Sequence, residues 1–173
     1  MKDVRGDLFK LHGAYDAFCV TTNGYIRRDG RAVMGRGIAL EIKKKSPMID
    51  KRLGEGIEEN GNVVQSIGTY EGTPVIAFPV KPEEAMVLPG KTNIVRHVRK
   101  LVKEGNRAPG WCSVAKLDII EESCKQLSKL ADDLGYTSVL LPRPGCGAGE
   151  LSYPAVQPIL EKWLDDRFYI ITY

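Results

Sequence analysis

No stretch of the chain approaches the roughly 18 consecutive apolar residues that a membrane-crossing helix requires. The opening residues, Met1-Lys2-Asp3-Val4-Arg5-Gly6-Asp7, contain no apolar core of a secretion signal. A cytoplasmic or nuclear protein without a membrane partner is therefore expected. Cysteine is sparse: Cys19, Cys112, Cys124 and Cys146 are widely separated, form no Cys-x-x-Cys pair and have only His12 and His97 to join them. This pattern argues against structural zinc and predicts reduced thiols and no metal site. Also missing are a Gly-x-x-x-x-Gly-Lys-Ser/Thr loop and a Gly-x-Gly-x-x-Gly turn followed by a ribose-binding acid. Kinase, GTPase and ordinary dehydrogenase readings lose most of their weight, and no cofactor is expected. Neither sign of charge dominates, since 25 Lys and Arg stand against 22 Asp and Glu, a net of +3. That total is too small to mark a nucleic-acid binder by itself.

What is present is alternation. The 173 residues suit one domain, and β-branched apolar runs alternate with helix-period segments, as in layered α/β folds. Ala17 to Thr21 reads as a buried strand ending in Thr22-Asn23-Gly24; a helix then begins at Ile38 after Gly35-Arg36-Gly37 and stops at Ser46-Pro47. Val63–Ile67 and Pro74–Val80 read as a strand pair turning at Glu71-Gly72, the second strand central. Leu117, Ile120, Cys124, Leu127, Ala131 and Leu134 recur at spacings of three and four, an amphipathic helix closed by Gly135. A buried strand at 138–142, a loop at 145–149, a helix at 154–166 and a last strand at 168–172 complete the series. Residues 83–111 fit poorly and read as a basic insertion, with a helix over Thr92–Lys103.

Two glycine loops thus each follow a strand and precede a helix. In that arrangement backbone N–H groups unobstructed by Cβ atoms converge on an anion beside the positive end of the helix. A phosphate-bearing ligand is the natural guest, and tight turns are the alternative use of such glycines.

The residues that carry these loops resemble the macrodomain family over nearly the whole chain apart from the insertion. Gly6-Asp7-Leu8-Phe9 is similar to the opening motif, Asn23-Gly24-Tyr25 with Gly35-Arg36-Gly37-Ile38-Ala39 to the ribose and diphosphate segment, and Leu141-Pro142-Arg143-Pro144-Gly145-Cys146-Gly147-Ala148-Gly149 to the second phosphate loop. Within the family, Val33-Met34-Gly35-Arg36-Gly37-Ile38-Ala39, Phe78-Pro79-Val80-Lys81 and Gly145-Cys146-Gly147 are similar to the branch of the terminal ADP-ribose glycohydrolases and the antitoxin that removes ADP-ribose from DNA. The resemblance implies a three-layer α/β/α fold with a central mixed sheet of about six strands. It implies ADP-ribose, or a macromolecule bearing it, as the partner of a monomer.

Carried over position by position, the resemblance implies that Asp7 accepts from the adenine amino group with the Leu8 backbone beside it, a discrimination that a carboxylate can make. Tyr173 stacks on adenine or else covers the sheet edge. Asn23 bonds the distal ribose and shares in catalysis, while Gly35, Arg36, Gly37 and Ile38 with Pro142, Gly145, Cys146, Gly147, Ala148, Gly149 and Glu150 clasp the diphosphate and far ribose. Lys81, held between Pro79 and Pro82, attacks the anomeric carbon or assists release, and it does so best if burial lowers its pKa. On residue type alone a solvated lysine is the commoner outcome. Cys146 lacks a histidine partner and reads as a small residue permitting close approach rather than a nucleophile.

The sequence departs from the family at Gly149, where the glutamate-directed glycohydrolase carries an aspartate; Glu150 lies one position out of register and stays open between a general acid, a ligand contact and a surface carboxylate. Three readings follow: an ADP-ribosyl glycohydrolase acting on nucleic acid or protein, a non-catalytic ADP-ribose reader, and an ADP-ribose-1″-phosphate phosphatase. The small net charge is also polarised, because residues 27–45 and residues 91–107 each carry a net +5 and the remaining residues sum to −7. These basic stretches point to nucleic-acid contact.

Overall fold

A computed structural model describes all 173 residues. The strands are β1 (Lys2–Arg5), β2 (Ala17–Thr22), β3 (Gln65–Tyr70), β4 (Thr73–Pro79), β5 (Glu84–Met86), β6 (Arg107–Pro109), β7 (Val139–Pro142) and β8 (Phe168–Thr172); the helices are α1 (Leu8–Leu11), α2 (Gly37–Lys45), α3 (Ile49–Asn60), α4 (Leu117–Leu134) and α5 (Tyr153–Trp163). Six strands form one mixed sheet in the order β1-β8-β7-β2-β4-β3, parallel throughout except for the β3–β4 hairpin.

The two faces of the sheet are written in the strands as a period of two. In β4, Ile76 and Phe78 enter the core beneath α4 and α5, while Val75 and Ala77 enter the core beneath α1, α2 and α3. β2 does the same with Ala17 and Cys19 on one side and Phe18 and Val20 on the other. Both strands are buried on both faces, which is why they read as continuous apolar runs. α4 presents Ile120, Cys124, Leu127 and Ala131 to the first core, and Gly135 closes it in the left-handed conformation (φ 70°).

Three differences from the sequence reading have physical causes. α3 forms where the sequence pattern marks no element, although Ile49, Leu53 and Ile57 recur every four residues and are buried. The expected helix over 92–103 is a short 3₁₀ helix at Arg96–Leu101. Val95 and Val98 turn into a separate small core with Val87, Ile94, Ala108 and Cys112, and the Lys91 and Arg99 side chains cap carbonyls of the same segment. α5 ends at Trp163 rather than 166, because Leu164 turns extended and is buried in the first core.

The insertion at 83–111 is therefore an ordered unit, built on the β5–β6 ladder and its own apolar cluster. It seats on the end of β4 through Gly110, whose N–H donates to the Glu83 carbonyl at 2.7 Å and whose α-carbon abuts the carbonyls of Pro82 and Glu83 so closely that a Cβ would overlap them. Gly110→Ala should consequently cost about 1–3 kcal/mol in urea unfolding. Gly13→Ala, which has open space, should stay within about 0.5 kcal/mol.

Candidate functional site

The strand order reverses direction of growth around β2, and in open α/β sheets such a point leaves a crevice at the carboxyl ends of the strands. Here the crevice is a cavity of ≈ 220 Å³ walled by the ends of β2 (Thr21, Thr22, Asn23), of β4 (Val80, Lys81) and of β7 (Pro142, Arg143), and by both glycine loops. Asn23, Gly35, Arg36, Gly37, Ile38, Lys81, Pro142, Gly145, Gly147, Ala148 and Gly149 all line it, so most of the residues singled out from the sequence converge.

The first loop supplies the N-terminus of α2. Arg36 is its N-cap and makes no side-chain capping bond, so the N–H groups of Gly37, Ile38 and Ala39 have no intrahelical acceptor. Gly37 has φ 57°, a backbone conformation that glycine adopts at little cost. The loop is braced from below: the Asn23 amide donates to the Val33 carbonyl at 3.0 Å and accepts from the Tyr25 N–H at 2.9 Å, and Arg31 pairs with buried Asp50 at 2.7 Å. Asn23 keeps one N–H and one lone pair for a ligand.

The second loop folds on itself through Glu150 N–H to Gly147 O and Leu151 N–H to Gly145 O, leaving the N–H groups of Gly147, Ala148 and Gly149 without a protein acceptor. Gly149 is packed so tightly that a Cβ would lie 2.6 Å from the Ala115 Cβ and from the Gly145 carbonyl oxygen. The missing aspartate is thus matched by a backbone that leaves no room for any side chain. No carboxylate lines the cavity, whereas Arg36, Lys81 and Arg143 do, so its field favours an anion.

Lys81 is buried, at 8% exposure, and its Nζ donates to the Trp111 carbonyl at 3.1 Å. Burial pulls its pKa down to about 8 and the Arg36 guanidinium adds to this, while Cys112 and Glu150 act the other way. An ammonium in this position releases its proton near pH 8, and the free amine carries the lone pair a nucleophile needs.

Five of the expected residues lie outside the cavity lining. Asp7 and Tyr173 sit together at the ends of β1 and β8, joined by Gly6 N–H to Thr172 O at 2.8 Å. Asp7 spends one carboxylate oxygen capping α1 through the Phe9 N–H at 2.9 Å, and the Leu8 side chain is buried in the core, leaving only its backbone for contact. The Tyr173 ring is exposed; partial burial, then the carboxylates of Glu41 and Asp7, push its phenol up. Cys146 turns away from the cavity to pack on the first core, and burial pushes its thiol up, which removes the nucleophile reading. Glu150 points at the insertion, where it accepts from the Arg96 N–H.

The sequence reading missed four lining residues of consequence. Thr22 lines the cavity, is 5% exposed, and its buried Oγ1 has no hydrogen-bond partner; the signal was its place just before Asn23 at a strand end. His97 and Trp111 come from the insertion and form one wall, and Arg143 stands at the mouth with its guanidinium 3.9 Å from the Tyr153 ring centroid. Nothing in a linear pattern says that the insertion folds back over β4.

No protein-family model and no curated protein sequence matches the chain. Solved structures do: the macrodomain of Mycobacterium tuberculosis DarG superposes with a TM-score of 0.66 over 98% of this chain and 95% of that one, at 21% identity. The chain has the macrodomain fold. The macrodomain of Thermus aquaticus DarG gives 0.65 at 23% identity over 99% and 97% of the two chains. Thermosipho africanus DarTG, solved in complex with ADP-ribose, gives 0.66 at 16% identity over 96% of this chain and 39% of that longer one.

The displacement of Lys81 from 10.5 to about 8, at about 1.4 kcal/mol for each pH unit, corresponds to about 3 kcal/mol of folding stability. Its sign follows from proton linkage: the unfolded chain holds the proton more tightly, so stability rises as pH climbs from about 8 toward the unfolded value near 10.4. Lys81→Met should therefore stabilise the protein at pH 7 by up to about 3 kcal/mol. That gain should shrink above pH 8 in urea melts followed by circular dichroism, and an unchanged gain at pH 10 would contradict the linkage.

Proposed function

We propose that this macrodomain binds ADP-ribose along the carboxyl edge of its sheet and hydrolyses the bond between ADP-ribose and a macromolecule. The buried Lys81 amine in an anion-seeking cavity is the observation that carries the reading. In this reading the adenine lies at the β1–β8 end, where Asp7 keeps a free carboxylate oxygen and Tyr173 an exposed ring. The diphosphate lies between the unpaired N–H groups of α2 and of the second glycine loop, in the manner of helix-terminus anion sites. The distal ribose reaches Asn23 and Thr22, which places its anomeric carbon toward Lys81. The uncharged amine forms a bond to that carbon as the bond to the macromolecule breaks, the proton released by the new ammonium goes to the departing atom, and water then frees ADP-ribose and restores the lysine. The ADP-ribose bound to Thermosipho africanus DarTG supports the ligand.

The exposed cations beside the cavity favour nucleic acid as the macromolecule. Arg36 and Arg143 stand at its mouth, and Arg96 and Lys100 extend the positive surface over the insertion. One observation favours a second reading, a reader that binds without hydrolysing: the cavity has no carboxylate to serve as a general acid or base.

Calorimetry should show ADP-ribose binding that weakens about 10-fold or more in Asp7→Ala, as loss of a charged hydrogen bond predicts. In a release assay on DNA and protein carrying radiolabelled ADP-ribose, Lys81→Ala should abolish turnover while leaving ADP-ribose affinity within a few fold. The wild-type rate should rise with pH and level off above about 8 as Lys81 loses its proton. Binding without release from any substrate would leave the reader. Affinity for modified DNA should fall more steeply with added salt than affinity for free ADP-ribose.

A further inference from the structure

Glu150 is turned out of the cavity, yet its backbone is held at φ 62°, in the left-handed region that is costly for a residue with a Cβ. That conformation directs its carboxylate to the insertion: Oε2 accepts from the Arg96 N–H at 2.9 Å, and Oε1 lies 3.9 Å from the Arg96 Nε. The Arg96 side chain is almost fully exposed, so the backbone bond, not the ion pair, is the substantial part. No other hydrogen bond joins the second glycine loop, 143–151, to the insertion, 83–111.

From Arg96 the connection runs onward. The neighbouring Val95 N–H donates to the Cys112 carbonyl at 2.9 Å, and the carbonyl next to it, that of Trp111, receives the Lys81 ammonium. The 3₁₀ helix that begins at Arg96 also carries His97, which with Trp111 makes the wall of the cavity above Lys81.

We propose that Glu150 is a positioning residue: its carboxylate pins the segment Arg96–Leu101 to the second glycine loop and so holds the His97–Trp111 wall, and the carbonyl that takes Lys81, in place. It touches no reacting atom in this arrangement. The inference rests on the proposed activity only for its kinetic consequence, because the wall is a property of the ligand-free protein.

Two variants separate positioning from charge. Glu150→Gln keeps an oxygen acceptor for the Arg96 N–H and removes the negative charge; Glu150→Ala removes both. The charged and titratable groups around Lys81 are Glu150, Arg36, Cys112, His97 and Arg143, and only Glu150 changes. Acetylation of Lys81 by acetic anhydride, followed by mass spectrometry across a pH series on ligand-free protein, should give a midpoint near about 8 in the wild type. Glu150→Gln should move it to lower pH, since an attractive carboxylate is lost while the wall stays. Glu150→Ala should move it to higher pH, toward the ordinary value of about 10.4, because water reaches the ammonium once the wall is free. The Arg96 amide should exchange hydrogen faster in Glu150→Ala and not in Glu150→Gln. If both variants shift the midpoint to lower pH, Glu150 acts by charge alone and the proposal is overturned. In the release assay Glu150→Ala should lose at least tenfold in kcat and Glu150→Gln should retain most of it. A wild-type protein that releases nothing would overturn the activity and leave the acetylation result to decide the role of Glu150.

Discussion

Much of the molecule is organised around keeping one ammonium group out of water. Lys81 can be buried because it lies two residues past the end of β4, where a carbonyl is available to it and a wall of protein stands over it. The carbonyl belongs to the insertion, the insertion seats on Pro82 and Glu83 through a glycine, and the chain just beyond it returns to bond Val80 and the second glycine loop. Burying a charge without full compensation destabilises a fold. The two cores, one on each face of the sheet, supply the stability that lets this position be tolerated.

The polarity of the cavity follows from the same geometry. Parallel strands end together, so the loops that leave them crowd one edge, and the helices that follow aim their N–H groups back at it. Side-chain cations add to the backbone: Arg36, at the N-cap of α2 without a side-chain capping bond, and Arg143, which leans on the Tyr153 ring, both line the cavity. Burial makes the lysine give up its proton more readily and the Arg36 guanidinium adds to this, against the pull of Cys112 and Glu150.

The sheet was legible because its strands are buried on both faces and its longest helix keeps an unbroken apolar stripe. β2, β4, β7, β8 and α4 fall close to where period and punctuation place them. α3 was overlooked because Gly54 and Gly56 and a run of charges dilute its stripe, although Gly54 is needed where α3 meets the carbonyl of Gly30. The glycine loops and Lys81 could be named from local motifs, since each is short and contiguous. The wall could not. His97 and Trp111 are brought to the cavity by a ladder of three residues a side and a 3₁₀ helix, elements too small to leave a periodic trace. Glu150 stands out in the sequence for lying one position past Gly149, but its direction depends on a positive φ that no neighbouring residue announces.

The insertion has an apolar cluster of its own and rests on the parent sheet through backbone contacts at few points. Its surface, including the side chains that overhang the cavity, can therefore change without repacking the two large cores. In evolutionary terms the sheet edge that forms the cavity floor is a fixed chassis and the overhang is an exchangeable part, so descendants of this chain could remodel the cavity wall by altering about 30 contiguous residues, the scale of a single supersecondary unit.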